Sequence, residues 1–222
     1  MAKYRPIEEN VEVVTEFQGQ KVLHPVYQCE KCGHSISPEF DDVTGICGMC
    51  YDGMNELGEY IECVYTVSIY CNEFSNHELT NAIGGEVKKG EYAEEMARIL
   101  NWGIENFDNL GGSDFIVPPP RGSDDASINH MKEIGEVIAS DTGISLQDPL
   151  RKETDYESQK NIDDALQRID NIEDNIKCVQ DFDSQPVITV IDDIATSTGT
   201  LKYSAKALKN SGAKRVFGLA IS

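Results

Sequence analysis

The stretch VITVIDDIATSTGTLKYSAKAL, residues 187 to 208, carries the fold class. Val187 through Ile191 is an unbroken run of β-formers, the pattern of a short buried strand. Two carboxylates, Asp192 and Asp193, follow at once. Thr196, Ser197, Thr198, Gly199 and Thr200 then make a loop of hydroxyls and backbone, and a helix is expected near residues 201 to 211. A last strand, KRVFGLAI, closes a β-α-β unit. A strand leading through small residues into a helix is a common anion site, because loop amides converge on the ligand and the helix amino end adds partial positive charge. The hydroxyls add donors, and Gly199 permits close backbone approach. Asp192 and Asp193 are acceptors when ionised. They suit sugar hydroxyls, or a metal that itself carries phosphates. A phosphorylated ribose would satisfy both halves of the motif.

Other folds place paired aspartates at a strand end, receiver domains and phosphatases among them, but they do so early in the domain. Only the β-α-β remainder follows here. The loop also lacks the Gly-x4-Gly-Lys of a P-loop and the Gly-x-Gly-x-x-Gly of a dinucleotide fold.

Working outward, VEVVTEF and KVLHPVYQC read as short β pieces, and YIECVYTVSIYC as a strand or hairpin. GEYAEEMARILNWGIENF has Tyr92, Met96, Ile99, Leu100, Gly103 and Phe107 at helical spacing. SDFIVPPPRGSDD is a short buried strand stopped by three prolines. ASINHMKEIGEVIAS is helical, with Ile128, Met131, Ile134, Val137 and Ile138 on one stripe, and GISLQDPL is a strand. Residues 151 to 184 are polar and acidic; Ile162, Leu166, Ile169, Ile172 and Ile176 suggest helix within them. Strands alternating with helices argue for an α/β fold with a parallel sheet covered on both faces. Residues 1–57 form one expected unit and residues 58–222 the other, with YDGMNELGEY as the linker.

The chain of 222 residues carries 39 acidic against 19 basic residues, a formal charge of −20. Such a surface repels nucleic-acid phosphates and anionic membranes, so tight DNA binding is not expected and an anionic ligand needs a local device. No stretch approaches the roughly 18 apolar residues of a membrane span. The amino terminus has no apolar core of the signal-peptide kind. The cytoplasm, where thiols stay reduced, is the default compartment.

Seven cysteines then need another role than disulfides. Cys29, Cys32, Cys47 and Cys50 form two Cys-x2-Cys pairs in CEKCGHSISPEFDDVTGICGMC. A two-residue gap lets both thiolates of a pair face one centre, and four thiolates at tetrahedral corners suit structural Zn2+. A small segment with little core also needs such a staple. His24 and His34 read as bystanders, and Cys63, Cys71 and Cys178 as plain core residues.

The motif VITVIDDIATSTGTL resembles the signature of type I phosphoribosyltransferases. The cysteine ribbon, IGGEVKKGEYAEEMARIL, FIVPPPRGSDDASINHMKEIGEVIA and LRKETDYESQKNIDDALQRIDNI follow in an order similar to the ComF family, the competence-associated phosphoribosyltransferase homologues. The resemblance implies a zinc ribbon ahead of a type I phosphoribosyltransferase-like sheet with helices on both faces. It implies transfer of a phosphoribosyl group from phosphoribosyl pyrophosphate (PRPP) to an unidentified acceptor, with release of pyrophosphate and with Mg2+ on the substrate. Asp192 and Asp193 would hold the ribose hydroxyls. Ala195, Thr196, Ser197, Thr198, Gly199 and Thr200 would hold the 5-phosphate. Pro119, Pro120 and Arg121 match the pyrophosphate loop, and Arg121 counts with the two acids as catalytic. The family's basic lid matches the region of Arg151, Lys152, Gln159 and Lys160, and Lys88 and Lys89 match a basic stretch before the first helix. A PRPP-sensing regulatory or accessory protein with a non-catalytic fold is the alternative. A homodimer is an open expectation.

Overall fold

The computed structural model describes residues 11–25, 29, 60–68, 78–120, 129–152, 175–195 and 199–222. In chain order the elements are β1 (Val11–Phe17), β2 (Gln20–Pro25), β3 (Val64–Thr66), α1 (Glu78–Gly84), a 3-10 turn (Val87–Lys89), α2 (Ala93–Asn106), β4 (Phe115–Val117), α3 (His130–Thr142), β5 (Ser145–Leu146), β6 (Leu150–Lys152), β7 (Ile176–Cys178), β8 (Val187–Asp192), α4 (Gly199–Asn210) and β9 (Arg215–Ala220).

Five of these strands form one sheet, in the order β3-β9-β8-β4-β5, and every pairing in it is parallel. Parallel sheets are stable when both faces are covered, and their strands then read as continuous apolar runs. β8 follows that rule: Ile188, Thr189, Val190 and Ile191 are all buried. Successive side chains point to opposite faces. Ile188 and Val190 join Val117 and Val216 in a core closed by Leu201 and Leu208 of α4. Ile191 joins Ile116, Phe217 and Leu219 in a second core closed by Ile83 of α1, Met96 and Leu100 of α2 and Ile134 of α3. The molecule is therefore an α/β structure with helices on both faces of a parallel sheet. The one polar side chain in the middle of β8, Thr189, is satisfied by Ser113, with the two hydroxyls 2.7 Å apart.

The winding of the sheet creates a specific place for a ligand. From β4 the chain moves outward to β5; it later re-enters on the other side of β4 as β8 and continues to β9. The direction reverses between β4 and β8, and in open α/β sheets the crevice beyond the carboxyl ends of two such strands is where ligands bind.

β1 and β2 form an antiparallel hairpin, Phe17 facing Gln20. Its two-residue turn, Gln18–Gly19, has φ of 50° and 76°, the doubly left-handed geometry that matches strand twist. The hairpin does not pack alone. Phe17 and Val22 are buried in the same core as α1, α2 and α3, and the Phe17 ring meets Tyr92 edge-on at 5.2 Å. His24 is buried, its Nδ1 2.9 Å from the Val67 carbonyl oxygen, among the rings of Trp102 and Phe107. Burial pushes its pKa down, against weaker opposing effects of the Val67 carbonyl and Glu12.

Two features depart from the sequence reading. Ile176, expected on a helix, begins β7, which pairs antiparallel with β6 so that Leu150 faces Cys178. Long-range strand pairing overrides the local 3.6-residue pattern there. α1 and the 3-10 turn have no counterpart in the sequence reading, because seven and three residues are too few for periodicity to register. Among the described residues, no helix is long and apolar enough to cross a membrane.

Candidate active site

The β4/β8 crevice gathers most of the described residues singled out by the sequence. Pro118, Pro119 and Pro120 leave the carboxyl end of β4, and Asp192 ends β8 with Asp193 next to it. Val117 pairs with Val190, so the proline turn and the acid pair stand side by side. Both crossover helices begin at this edge, since each connects one parallel strand to the next. α3 starts at His130 on one face and α4 at Gly199 on the other. Two helix amino ends therefore direct partial positive charge at the crevice.

Backbone bonds fix the acid pair. The Ile221 amide donates to the Asp192 carbonyl (3.2 Å), the Ser222 amide to the Asp193 carbonyl (3.2 Å), and the Ala195 amide to the Ser222 carbonyl (2.7 Å). The Ser68 hydroxyl donates to the Ile221 carbonyl at 2.7 Å, which holds that strand end in place. Asp192 accepts from the Asp193 amide through Oδ1 at 2.9 Å.

The two carboxyls sit in unequal fields. Asp193 is 8% exposed. Its Oδ2 lies 3.4 Å from Lys88 Nζ and 3.3 Å from His130 Nε2. The His130 approach is close enough for an ion pair, but the buried Nε2 makes no hydrogen bond among the described residues. Burial would raise the Asp193 pKa, but His130 and Lys88 together outweigh it and the net shift is downward. Asp192 goes the other way. Burial and then the adjacent Asp193 charge raise it well above the ordinary carboxylate value. The pair is therefore split, one carboxyl shifted toward the ionised form and its neighbour toward the protonated form.

His130 is a site residue that the sequence reading misses. Its only signal is its place, directly after a helix-capping asparagine. Asn129 Oδ1 accepts from the Lys132 amide at 3.2 Å and starts α3 there. Lys88, one of the basic residues expected before the first helix, stands at the acid pair. Gly199 and Thr200 are the first residues of α4, and Ala195 is buried. Lys152 ends β6. Arg151 turns back on its own strand end, donating to Asp148 Oδ1 at 3.1 Å and to the Leu150 carbonyl at 2.7 Å. Arg121, Gln159, Lys160, Thr196, Ser197 and Thr198 lie outside the described residues, as do Cys32, Cys47 and Cys50. Cys29 is described and buried. Among the described residues, no three metal-ligating side chains come together.

No protein-family model matches the chain. No curated protein matches it either. One solved structure, described as that of the allosteric regulatory enzyme of purine biosynthesis, is similar at 20% identity and a TM-score of 0.35. The match covers 61% of this chain and 25% of that one. The functional reading therefore rests on the geometry of the crevice.

Proposed function

We propose that this chain is a PRPP-dependent phosphoribosyltransferase of the ComF kind. The observation that carries the reading is the adjacent acid pair at the carboxyl end of β8, beside the proline turn of β4 and at the reversal of the sheet. Acceptors suited to vicinal hydroxyls and helix amino ends suited to phosphate converge there.

In this reading the 196–200 segment and the amino end of α4 bind the 5-phosphate, far from the reacting bond, so that its binding energy can be used at C1. Asp192 and Asp193 accept hydrogen bonds from the ribose hydroxyls. Pro119, Pro120 and Arg121 lie against the pyrophosphate, and Lys152 and Lys160 add positive charge over it. The bond from C1 to the pyrophosphate oxygen breaks with its electron pair leaving on pyrophosphate, and a nucleophile on the acceptor forms the new bond at C1. The protein contributes positioning and charge stabilisation. Mg2+ bound with the substrate would supply further neutralisation of the leaving group. A structural Zn2+ on Cys29, Cys32, Cys47 and Cys50 belongs to the same reading.

A second reading is a PRPP-sensing protein without turnover. It is favoured by the order Thr198–Gly199, where the family places glycine first. The test is a calorimetric titration with PRPP and Mg2+, then a nucleobase screen for pyrophosphate release. Binding with release supports the transferase, and binding with no release supports the sensor. The variant Asp192→Asn plus Asp193→Asn should weaken PRPP by about two orders of magnitude, since charge-assisted hydrogen bonds contribute roughly 1.5–3 kcal/mol each. Inorganic phosphate, which needs only the loop, should bind it as before. Equal PRPP affinity in wild type and a folded double variant rules out the phosphoribosyl reading.

A further inference from the structure

Three separate elements meet at one carboxylate. Asp193 follows β8, Lys88 comes from the 3-10 turn and His130 is the first residue of α3. Both nitrogens address the same oxygen, Oδ2, at 3.4 Å and 3.3 Å. In a chain with a net charge of −20, two basic side chains on one buried acid are not a chance surface pairing. A histidine whose purpose was packing would turn its ring nitrogens to well-aligned partners, as His24 does with the Val67 carbonyl. His130 instead holds Nε2 buried at 3.3 Å from the acid, without a hydrogen bond among the described residues. The Asn129 cap and the amide bonds of the first turn fix where its backbone stands.

We propose that His130 is a positioning residue for Asp193. With Lys88, it clamps Oδ2 and presents Oδ1 to a ribose hydroxyl. This deepens the phosphoribosyl reading and rests on it. Asp193 is then a fixed acceptor, oriented before the ligand arrives. Preorganisation of this kind raises affinity by removing the cost of ordering the acceptor on binding.

The experiment compares wild type, His130→Leu and His130→Gln by calorimetry with Mg2+ and PRPP, and separately with inorganic phosphate. His130→Leu should weaken PRPP about tenfold or more, the loss of one charge-assisted contact, and leave phosphate unchanged. His130→Gln keeps an N–H donor near the Nε2 position and should recover most of the affinity, which a purely steric role for the ring would not predict. If His130→Leu does not fold, Lys88→Met carries the same expectation for the two ligands. Wild-type PRPP affinity in both His130 variants overturns the inference, as does an equal loss for PRPP and phosphate. A second measurement separates this inference from the reading beneath it. The ring-nitrogen resonances of His130 should move in Asp193→Asn while those of His24 stay put. If wild type binds no PRPP but His130 responds to Asp193→Asn, the phosphoribosyl reading fails and the positioning of Asp193 stands. An unmoved His130 resonance overturns the positioning itself.

Discussion

Replacing each acid of the pair separately by asparagine should change stability in opposite directions, although the two residues are neighbours of the same type. Asparagine keeps the shape and an acceptor oxygen, so Asp192→Asn retains the bond from the 193 amide. It removes a charge that burial and the adjacent anion disfavour, and at pH 7 the variant should be more stable than wild type. Asp193→Asn removes the anion that faces Lys88 and His130. At 3.4 Å a unit pair is worth about 1 kcal/mol fully screened by water and about 5 kcal/mol at an effective dielectric constant near 20. The Lys88 side chain is 34% exposed, which puts the pair toward the screened end, and relief of Asp193 desolvation subtracts further. A net loss of about 1–2 kcal/mol follows. The pH dependence has a definite sign for each. Asp192 has a folded pKa above its unfolded value of 3.8, so the native state holds the extra proton. Wild-type stability falls as pH rises from 3.8 through that folded value, and the advantage of Asp192→Asn grows over the same window. Asp193 has a folded pKa below 3.8. Its contribution is full above 3.8 and fades as pH falls through the folded value, so the deficit of Asp193→Asn should shrink only in acid. Urea unfolding of the three proteins at pH 7, and again over the acid range, measures this. Shifts of the same sign at pH 7, or a stabilising Asp193→Asn, refute the assignment of unequal fields to the pair.

Three other outcomes are expected. Gly135→Ala places a Cβ 2.7 Å from Leu146 Cδ1 and 3.4 Å from Ile191 Cδ1. Overpacking of roughly 1–3 kcal/mol, against a helix-propensity gain of about 0.5–1 kcal/mol, leaves a net loss of about 1 kcal/mol in chemical denaturation; a stabilised variant would show that Leu146 moves aside freely. His24, with its folded pKa below 6.5, contributes stability that is full above pH 6.5 and declines as pH falls from there toward the folded value, because the unfolded chain takes up the proton first. Thermal melts at pH 7.5 and 5.5 should show this drop in wild type and less of it in His24→Gln, and an equal drop in both would place the titration elsewhere. Purified protein should hold about one equivalent of zinc, lost in Cys47→Ser; metal analysis finding none, with all four thiols reactive in the native state, ends the ribbon reading.

The acid pair illustrates how a site can be visible in sequence while its electrostatics are not. Asp192 and Asp193 stand out because an apolar strand ending in two charges is costly unless something uses them. That the two differ depends on Lys88, more than a hundred residues upstream, and on His130, each placed by a different element. Neither contact leaves a trace in local composition.

The same division runs through the fold. β8, α4 and β9 are legible as a run because each obeys a short-range rule: a buried strand is continuously apolar, and a helix repeats every 3.6 residues. α2, α3 and β4 are legible for the same reason, with the prolines after Val117 marking where β4 has to stop. β6 and β7 are not, since their stability comes from pairing Leu150 with Cys178 across a long intervening segment, and pairing energy is invisible to a window that sees one strand at a time. The packing of the β1–β2 hairpin is hidden likewise. Alternation suggests its strands, but only the shared core shows Phe17 and Val22 buried against α1–α3. Local chain physics thus determined these elements. The order β3-β9-β8-β4-β5, the reversal that brings the proline turn beside the acids, and the clamp on Asp193 came from contacts between segments far apart in the chain, because burial and ion pairing are properties of the assembled core.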